Sequence, residues 1–234
     1  MRILYIYPHP DDESFGPAPV MRKQLREGHE VFLLTLTRGG ATRQRHNYGY
    51  SVDEMGGVRL EEMLEVERVL ELSGMTVLDL PDSGLKEMDP RAIEAVVRDH
   101  IFELKPEVVA TYAAHGISGF HDHLVSHAVV KRVFVELREE HPWLRRLALV
   151  TVPEEVAAAS PHFRLSWSTP AEIDAEITVA EEDVERTQRA LDCYVTFLET
   201  IEKSGIREMI STRWVFEIFQ EDHDPPLTDL FEGL

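Results

Sequence analysis

The stretch RILYIYPHPDDESFG (residues 2–16) opens as an apolar and aromatic run and closes as a histidine followed by three consecutive acidic residues. A run with so little polar alternation predicts a strand over 2–8 that is covered on both faces, as in a parallel sheet. The charge is then delivered to the loop at that strand's carboxyl end. Downstream, the same alternation repeats. Helical periodicity over 16–27 leads through Gly28 to a strand at 31–37, and a Gly- and Arg-rich loop leads to a helix at 58–72 and a strand at 77–81. Asp89 as cap and Pro90 at the first position begin a helix that Pro106 stops. A strand at 106–115 then runs into a second histidine-rich loop, HGISGFHDH (115–123), before a helix at 124–139 and a strand at 147–153. This order predicts an α/β fold: a Rossmann-like, doubly wound, mostly parallel sheet with helices on both faces. Past Pro153 the rhythm changes. FRLSWSTPAEIDAEITVA (163–180) predicts a strand pair, residues 180–205 a long amphipathic helix, RWVFEIFQE (213–221) a closing strand, and 222–234 a loop and tail. The expectation is one domain over 1–234, with a metal-binding core at 1–152 and a C-terminal strand and helix extension at 153–234.

The 234 residues hold 24 Lys and Arg against 43 Asp and Glu, a net charge of −19. That balance repels a phosphate backbone and does not favour an anionic membrane surface, so nucleic acid is excluded as a natural partner. No window reaches the roughly 18 apolar residues of a membrane span, and the N-terminal apolar run is too short for a secretory core. The single cysteine, Cys193, has no partner for an internal disulfide and sits in an apolar helical context as a small buried side chain. These features predict a cytoplasmic protein.

Both histidine-rich loops follow strands, and open α/β sheets bind ligands at strand carboxyl ends near a topological switch point. Catalytic zinc takes three protein donors and keeps one position open, and His9, Asp12 and His123 would supply that set, one ion per chain. Iron, cobalt or manganese suits the same donors. Adjacent side chains of an extended backbone point to opposite sides, so Asp12 on the ion leaves Asp11 as the base for a water. Pro8 and Pro10 stiffen the backbone around His9. The alternative is a loop that only caps a helix, with Asp12 or Ser14 as the cap. A nucleotide-binding reading of the fold fails because no G-x-G-x-x-G follows the first strand.

PHPDDE (8–13) and HGISGFHDHLVSH (115–127), together with GGVRLEEMLEVERVLELSG (56–74) and DLPDSGL (79–85), resemble the zinc-dependent deacetylases of the PIG-L or LmbE-like family. That family removes acetyl groups from N-acetylglucosamine derivatives and related amides, and its landmarks span about residues 2–135. The resemblance implies the same Zn2+ ligands, His9, Asp12 and His123, and the same base, Asp11. It also implies that Arg59 contacts sugar hydroxyls and that Asp82 lines or braces the pocket. The residues alone allow Arg59 to pair with Glu62 or Glu13, and Asp82 to shape the PDSG turn. The implied partner is a small N-acetylated amino sugar or glycoconjugate; several relatives are homo-oligomers, though no subunit count follows from this sequence.

Two positions depart from the family. Its usual histidine three residues before the last metal ligand is Phe120 here, which leaves the proton donor to His121 or His115. The acidic residue after the first glycine of TRGG is Gly40. Phe120 also keeps open a non-catalytic metal- or carbohydrate-binding module. His127, one helical turn after His123, is read as a pocket wall or a support for the ligands. The loop at 38–57, with Arg38, Arg43, Arg45, Tyr48 and Tyr50, is read either as a lid whose arginines and tyrosines meet the substrate or as an ordinary loop. His29, His46, His100, His141, His162 and His223 lack partners at ligand spacing and are read as surface or packing residues.

Overall fold

The computed structural model describes residues 1–160 and 163–234, so His162 lies outside the described residues. Along the chain, β1 (Arg2–Tyr7) is followed by α1 (Asp12–Phe15), α2 (Ala18–Arg26), β2 (Glu30–Thr37), α3 (Arg45–Tyr48), α4 (Val52–Leu70), β3 (Gly74–Leu80) and α5 (Pro90–Leu104). Then come β4 (Val108–Tyr112), α6 (His121–Glu140), β5 (Arg146–Thr151), α7 (Glu154–Ala159), β6 (Ala175–Thr178), α8 (Glu181–Asp192), α9 (Leu198–Ser204), α10 (Ile206–Met209) and β7 (Arg213–Ile218). The described residues form a seven-stranded sheet in the order β3-β2-β1-β4-β5-β7-β6. Strands β1 to β5 are parallel, and β7 is antiparallel to both β5 and β6. The expected doubly wound, mostly parallel sheet is the one observed.

β1 explains why its sequence lacks polar alternation. Ile3, Tyr5 and Tyr7 pack on one face with Met21 of α2, Met63 of α4 and Leu191 of α8, while Leu4 and Ile6 pack on the other with Val97 of α5 and Val133 of α6. Each such side chain contributes about 1.5–3 kcal/mol when fully buried, so both faces select for apolar residues.

Short helices that the sequence does not announce form at α1, α3 and α7, and four larger differences from the sequence expectation have physical causes. α4 begins at Val52 and not at 58, because Ser51 and Glu54 close a reciprocal cap: the Ser51 hydroxyl accepts from the Glu54 N–H at 3.2 Å and the Glu54 carboxylate accepts from the Ser51 N–H at 2.8 Å. Gly56 and Gly57 lie inside that helix, and Gly56 is where Arg38 packs closely, since a Cβ there would stand 3.2 Å from the Arg38 Cβ. α6 begins at His121, three residues early. The long helix expected over 180–205 is broken after Asp192. A 3-10 turn at Val195–Phe197 follows, anchored where the Glu62 carboxylate accepts from the Thr196 N–H at 2.6 Å and from its hydroxyl at 3.0 Å. Cys193 therefore lies at the helix end and is half-buried, not buried. Finally, of the expected strand pair only β6 forms among the described residues, and it pairs with β7.

Candidate active site

β1 and β4 are adjacent and parallel, and their crossovers run to opposite sides of the sheet, so the loops after them open together at a switch point. His9, Asp11 and Asp12 come from the first loop, and His123 from the first turn of α6 after the second. The backbone at Asp11 is left-handed, with φ 89°, and Asp12 opens α1. The two carboxylates diverge because of that turn, and not because of the extended backbone assumed from sequence. A non-glycine residue in this conformation costs about 1–2 kcal/mol, so other bonds must hold it.

One side of the turn is a histidine and carboxylate cluster. His9, Asp12 and His123 each bring a ligand atom within 4.8 Å of the others'. His9 Nδ1 lies 3.4 Å from one Asp12 oxygen and His123 Nε2 lies 3.3 Å from the other. His123 Nδ1 sits 3.0 Å from the Gly116 carbonyl, a contact that orients the ring with Nε2 toward Asp12. His9 Nε2 lies 3.3 Å from Asp122 and 3.4 Å from Asp82, which orients the ring in the same way through its other nitrogen. Burial opposes a charge on His9, but Asp12, Asp122 and Asp82 overcome it and hold its pKa up to about 10. Burial likewise opposes ionised Asp12, and His123 and His9 hold it below the usual carboxylate range. One oxygen of buried Asp122 has no hydrogen-bond partner among the described residues. The donor set and the surplus of carboxylate around it fit a divalent cation, whose charge would take the place of the imidazole protons.

The other side of the turn is already neutralised. Arg59, only 2% exposed, donates to the Asp11 carboxylate at 2.7 Å and to the Pro10 carbonyl at 2.8 Å. Its guanidinium stacks 4.4 Å from the centre of the Phe197 ring. Burial pushes the Asp11 carboxyl up to about 6, against the pull of Arg59.

A family model described as PIG-L, GlcNAc-PI de-N-acetylase, matches residues 4–134. The chain belongs to this family. It is 27% identical, over 277 residues, to the 1D-myo-inositol 2-acetamido-2-deoxy-alpha-D-glucopyranoside deacetylase of Saccharomonospora viridis, with 99% of this chain and 100% of that one covered. Among solved structures it is similar to the A40926 pseudoaglycone deacetylase Dbv21, at a TM-score of 0.73 and 18% identity over 95% of this chain and 98% of that one. It is also similar to GalB, the 4-carboxy-2-hydroxymuconate hydratase of Pseudomonas putida, at a TM-score of 0.68 and 10% identity over 95% and 97% of the two chains. A fold shared by a deacetylase and a hydratase leaves the reaction to the side chains.

In this PIG-L chain the other expected site residues have partners of their own. Arg59, expected on sugar hydroxyls, is buried against Asp11, and neither Glu62 nor Glu13 is its partner. Arg38 pairs with Asp79 at 3.4 Å. Asp82 faces His9 and also accepts from the Ala41 N–H at 2.6 Å, tying the 38–44 segment to the site. Gly40 has no room for the family's acidic residue: a Cβ there would stand 2.2 Å from the Val52 carbonyl. Much of the 38–57 segment is helical, and Gln44 anchors it to Thr200 at 2.8 Å. Tyr48 and Tyr50 are exposed and stack on each other, with ring centres 5.7 Å apart.

The proton-donor candidates differ in their surroundings. His121 is exposed, with no hydrogen bond or ion pair among the described residues. His115 accepts from the Ile117 N–H at 3.0 Å, while its other nitrogen meets Thr151 at 3.2 Å and Ser168 at 3.3 Å. Phe120 is 56% exposed and meets the His123 ring edge-on. His127 reaches the Tyr112 carbonyl at 2.8 Å. Sequence reasoning singles out neither Asp122, which stands beside a ligand histidine on a first helical turn, nor Tyr194, which carries no motif. It also reads His29 as unpartnered, whereas Glu27 and Asp229 bring carboxylates within 4.8 Å of it. No helix among the described residues is long and apolar enough to cross a membrane.

Proposed function

We propose that the protein is a metal-dependent hydrolase that removes the acetyl group from an N-acetylated amino sugar or a related small amide. The observation that carries this reading is the split at residues 11 and 12: one carboxylate joins two histidines in a donor set, and its neighbour stands clear of that set with its own arginine. Zinc suits His9, Asp12 and His123, and when bound it supplies Lewis-acid polarisation of the amide carbonyl and acidifies water from a pKa of about 15.7 toward about 7.

The chain's own residues perform the rest. Arg59 occupies one oxygen of Asp11, which leaves the other to accept the proton of the attacking water. With its carboxyl pushed up to about 6, Asp11 is ionised at neutral pH and is also acidic enough, once protonated, to return that proton to the departing nitrogen. The C–N bond breaks, and acetate and a free amine leave. His121 and His115 are the alternative donors at that last step.

The test uses protein stripped by chelator and then restored with one equivalent of zinc, assayed for amine release on a panel of N-acetylated amino sugars and their glycosides. The reading expects release that vanishes on stripping and returns with zinc. Phe120 favours a non-catalytic binding module, and zinc retention with no release from any member of the panel would favour that module over the hydrolase.

A further inference from the structure

We infer that Tyr194, with Glu13 behind it, is a positioning residue that holds Asp11 in its left-handed conformation and so sets the reach of its carboxylate. This rests on the reading of Asp11 as the base. The turn itself is closed by the Asp11 carbonyl, which accepts from the N–H groups of Ser14 at 2.9 Å and Phe15 at 2.8 Å. Those bonds leave the Asp11 N–H to be met from outside the motif. The Tyr194 hydroxyl meets it at 2.9 Å.

A tyrosine hydroxyl has one proton, and of its two acceptors here the Glu13 carboxylate at 2.5 Å is the stronger, against the weakly accepting Met63 Sδ at 2.9 Å, so a lone pair of the oxygen is left to Asp11. Tyr194 is fully buried, so water does not substitute for it. It reaches the loop only because the helix breaks after Asp192 and the Val195–Phe197 turn is anchored to Glu62. Glu62 stands one turn from Arg59 on α4, and Phe197 lies against the Arg59 guanidinium. The base is thus gripped at two points: its carboxylate by Arg59, and its backbone by a residue far down the chain. Residues 194–197 lie outside the matched span of 4–134, so nothing in the family motif implies the grip.

A tyrosine that merely satisfied a buried N–H would matter for stability alone. One that positions a base matters for turnover, since a displacement of about 1 Å can cost about a hundredfold. The test compares zinc-loaded wild type, Tyr194→Phe, Asp11→Asn and the double variant. Tyr194→Phe is expected to lower kcat by about tenfold with KM within about twofold and zinc content unchanged. Added to Asp11→Asn, it is expected to cost nothing further, because it acts through that side chain. Hydrogen exchange of the 9–15 segment is expected to quicken in Tyr194→Phe, with or without metal. Full kcat in Tyr194→Phe beside a crippled Asp11→Asn overturns the inference, as does an equal loss in both backgrounds or unchanged exchange. Full kcat in Asp11→Asn instead overturns the assignment of the base, and exchange then decides the grip by itself. If Tyr194→Phe does not fold, Glu13→Gln takes its place: it keeps the shape and weakens the bond that aims the hydroxyl, so unchanged kcat and exchange again count against the inference.

Discussion

Asp11 and Asp12 are neighbours in the chain, the first part-buried and the second buried, and they live in opposite surroundings. Asp12 faces two histidines in a pocket where Asp82 and Asp122 add further negative charge, and it is held below the ordinary carboxylate range. Asp11 faces one arginine, which offsets its charge, and one tyrosine, and burial pushes it up to about 6. What separates them is one left-handed residue. The comparison teaches how a short motif makes two functions from two identical side chains: the backbone turn sends them apart, and each inherits its role from the elements it meets. The loops after β1 and β4 build the side that calls for a cation. α4 and the broken C-terminal helix build the side that holds a base.

The contrast can be broken from either side. Asp12→Ala has the largest expected effect: the donor set drops to two, metal no longer co-purifies in stoichiometric amount, and activity falls to background, as elemental analysis and amine release would read. Asp11→Asn keeps the metal and loses turnover by about a hundredfold or more, the general cost of removing a base. Asp122→Asn acts through His9 and should weaken metal affinity by about 10–100-fold in a competition titration, with less change in kcat once the metal is saturating. Tyr194→Phe follows, at about tenfold in kcat. Ser51→Ala, remote from both sides, should cost about 1 kcal/mol of stability, read in a denaturant titration, and leave kcat as it is.

How much of this was legible in the sequence follows from how local the signals were. The strands around His9 and His123 showed themselves because burial on both faces leaves unbroken apolar runs, and Asp89 with Pro90 marks a helix start by local chemistry: the Asp89 side chain accepts the Arg91 N–H at 3.0 Å. The donor set was within reach for the same reason, since its members follow strands. The start of α4 is written locally too, as Ser51 and Glu54 at capping spacing, but Gly56 and Gly57 read as loop because the close approach of Arg38 that fits Gly56 is a tertiary contact. The break after Asp192 was not readable. Residues 180–205 keep helical periodicity, and what ends the helix is Glu62, more than a hundred positions away, taking the Thr196 N–H. Arg59 illustrates the same limit: its identity was plain from the motif, while its burial against Asp11 depends on Phe197 and Tyr194 packing over it.

The most direct measurement reads metal content and amine release on one preparation of Asp11→Asn beside wild type, both purified with zinc and assayed on the N-acetylated sugar that wild type turns over fastest. The account predicts one zinc per chain in both proteins and a rate at least about a hundredfold lower in the variant. Full rate in Asp11→Asn, or loss of its zinc, would contradict the division of labour between residues 11 and 12.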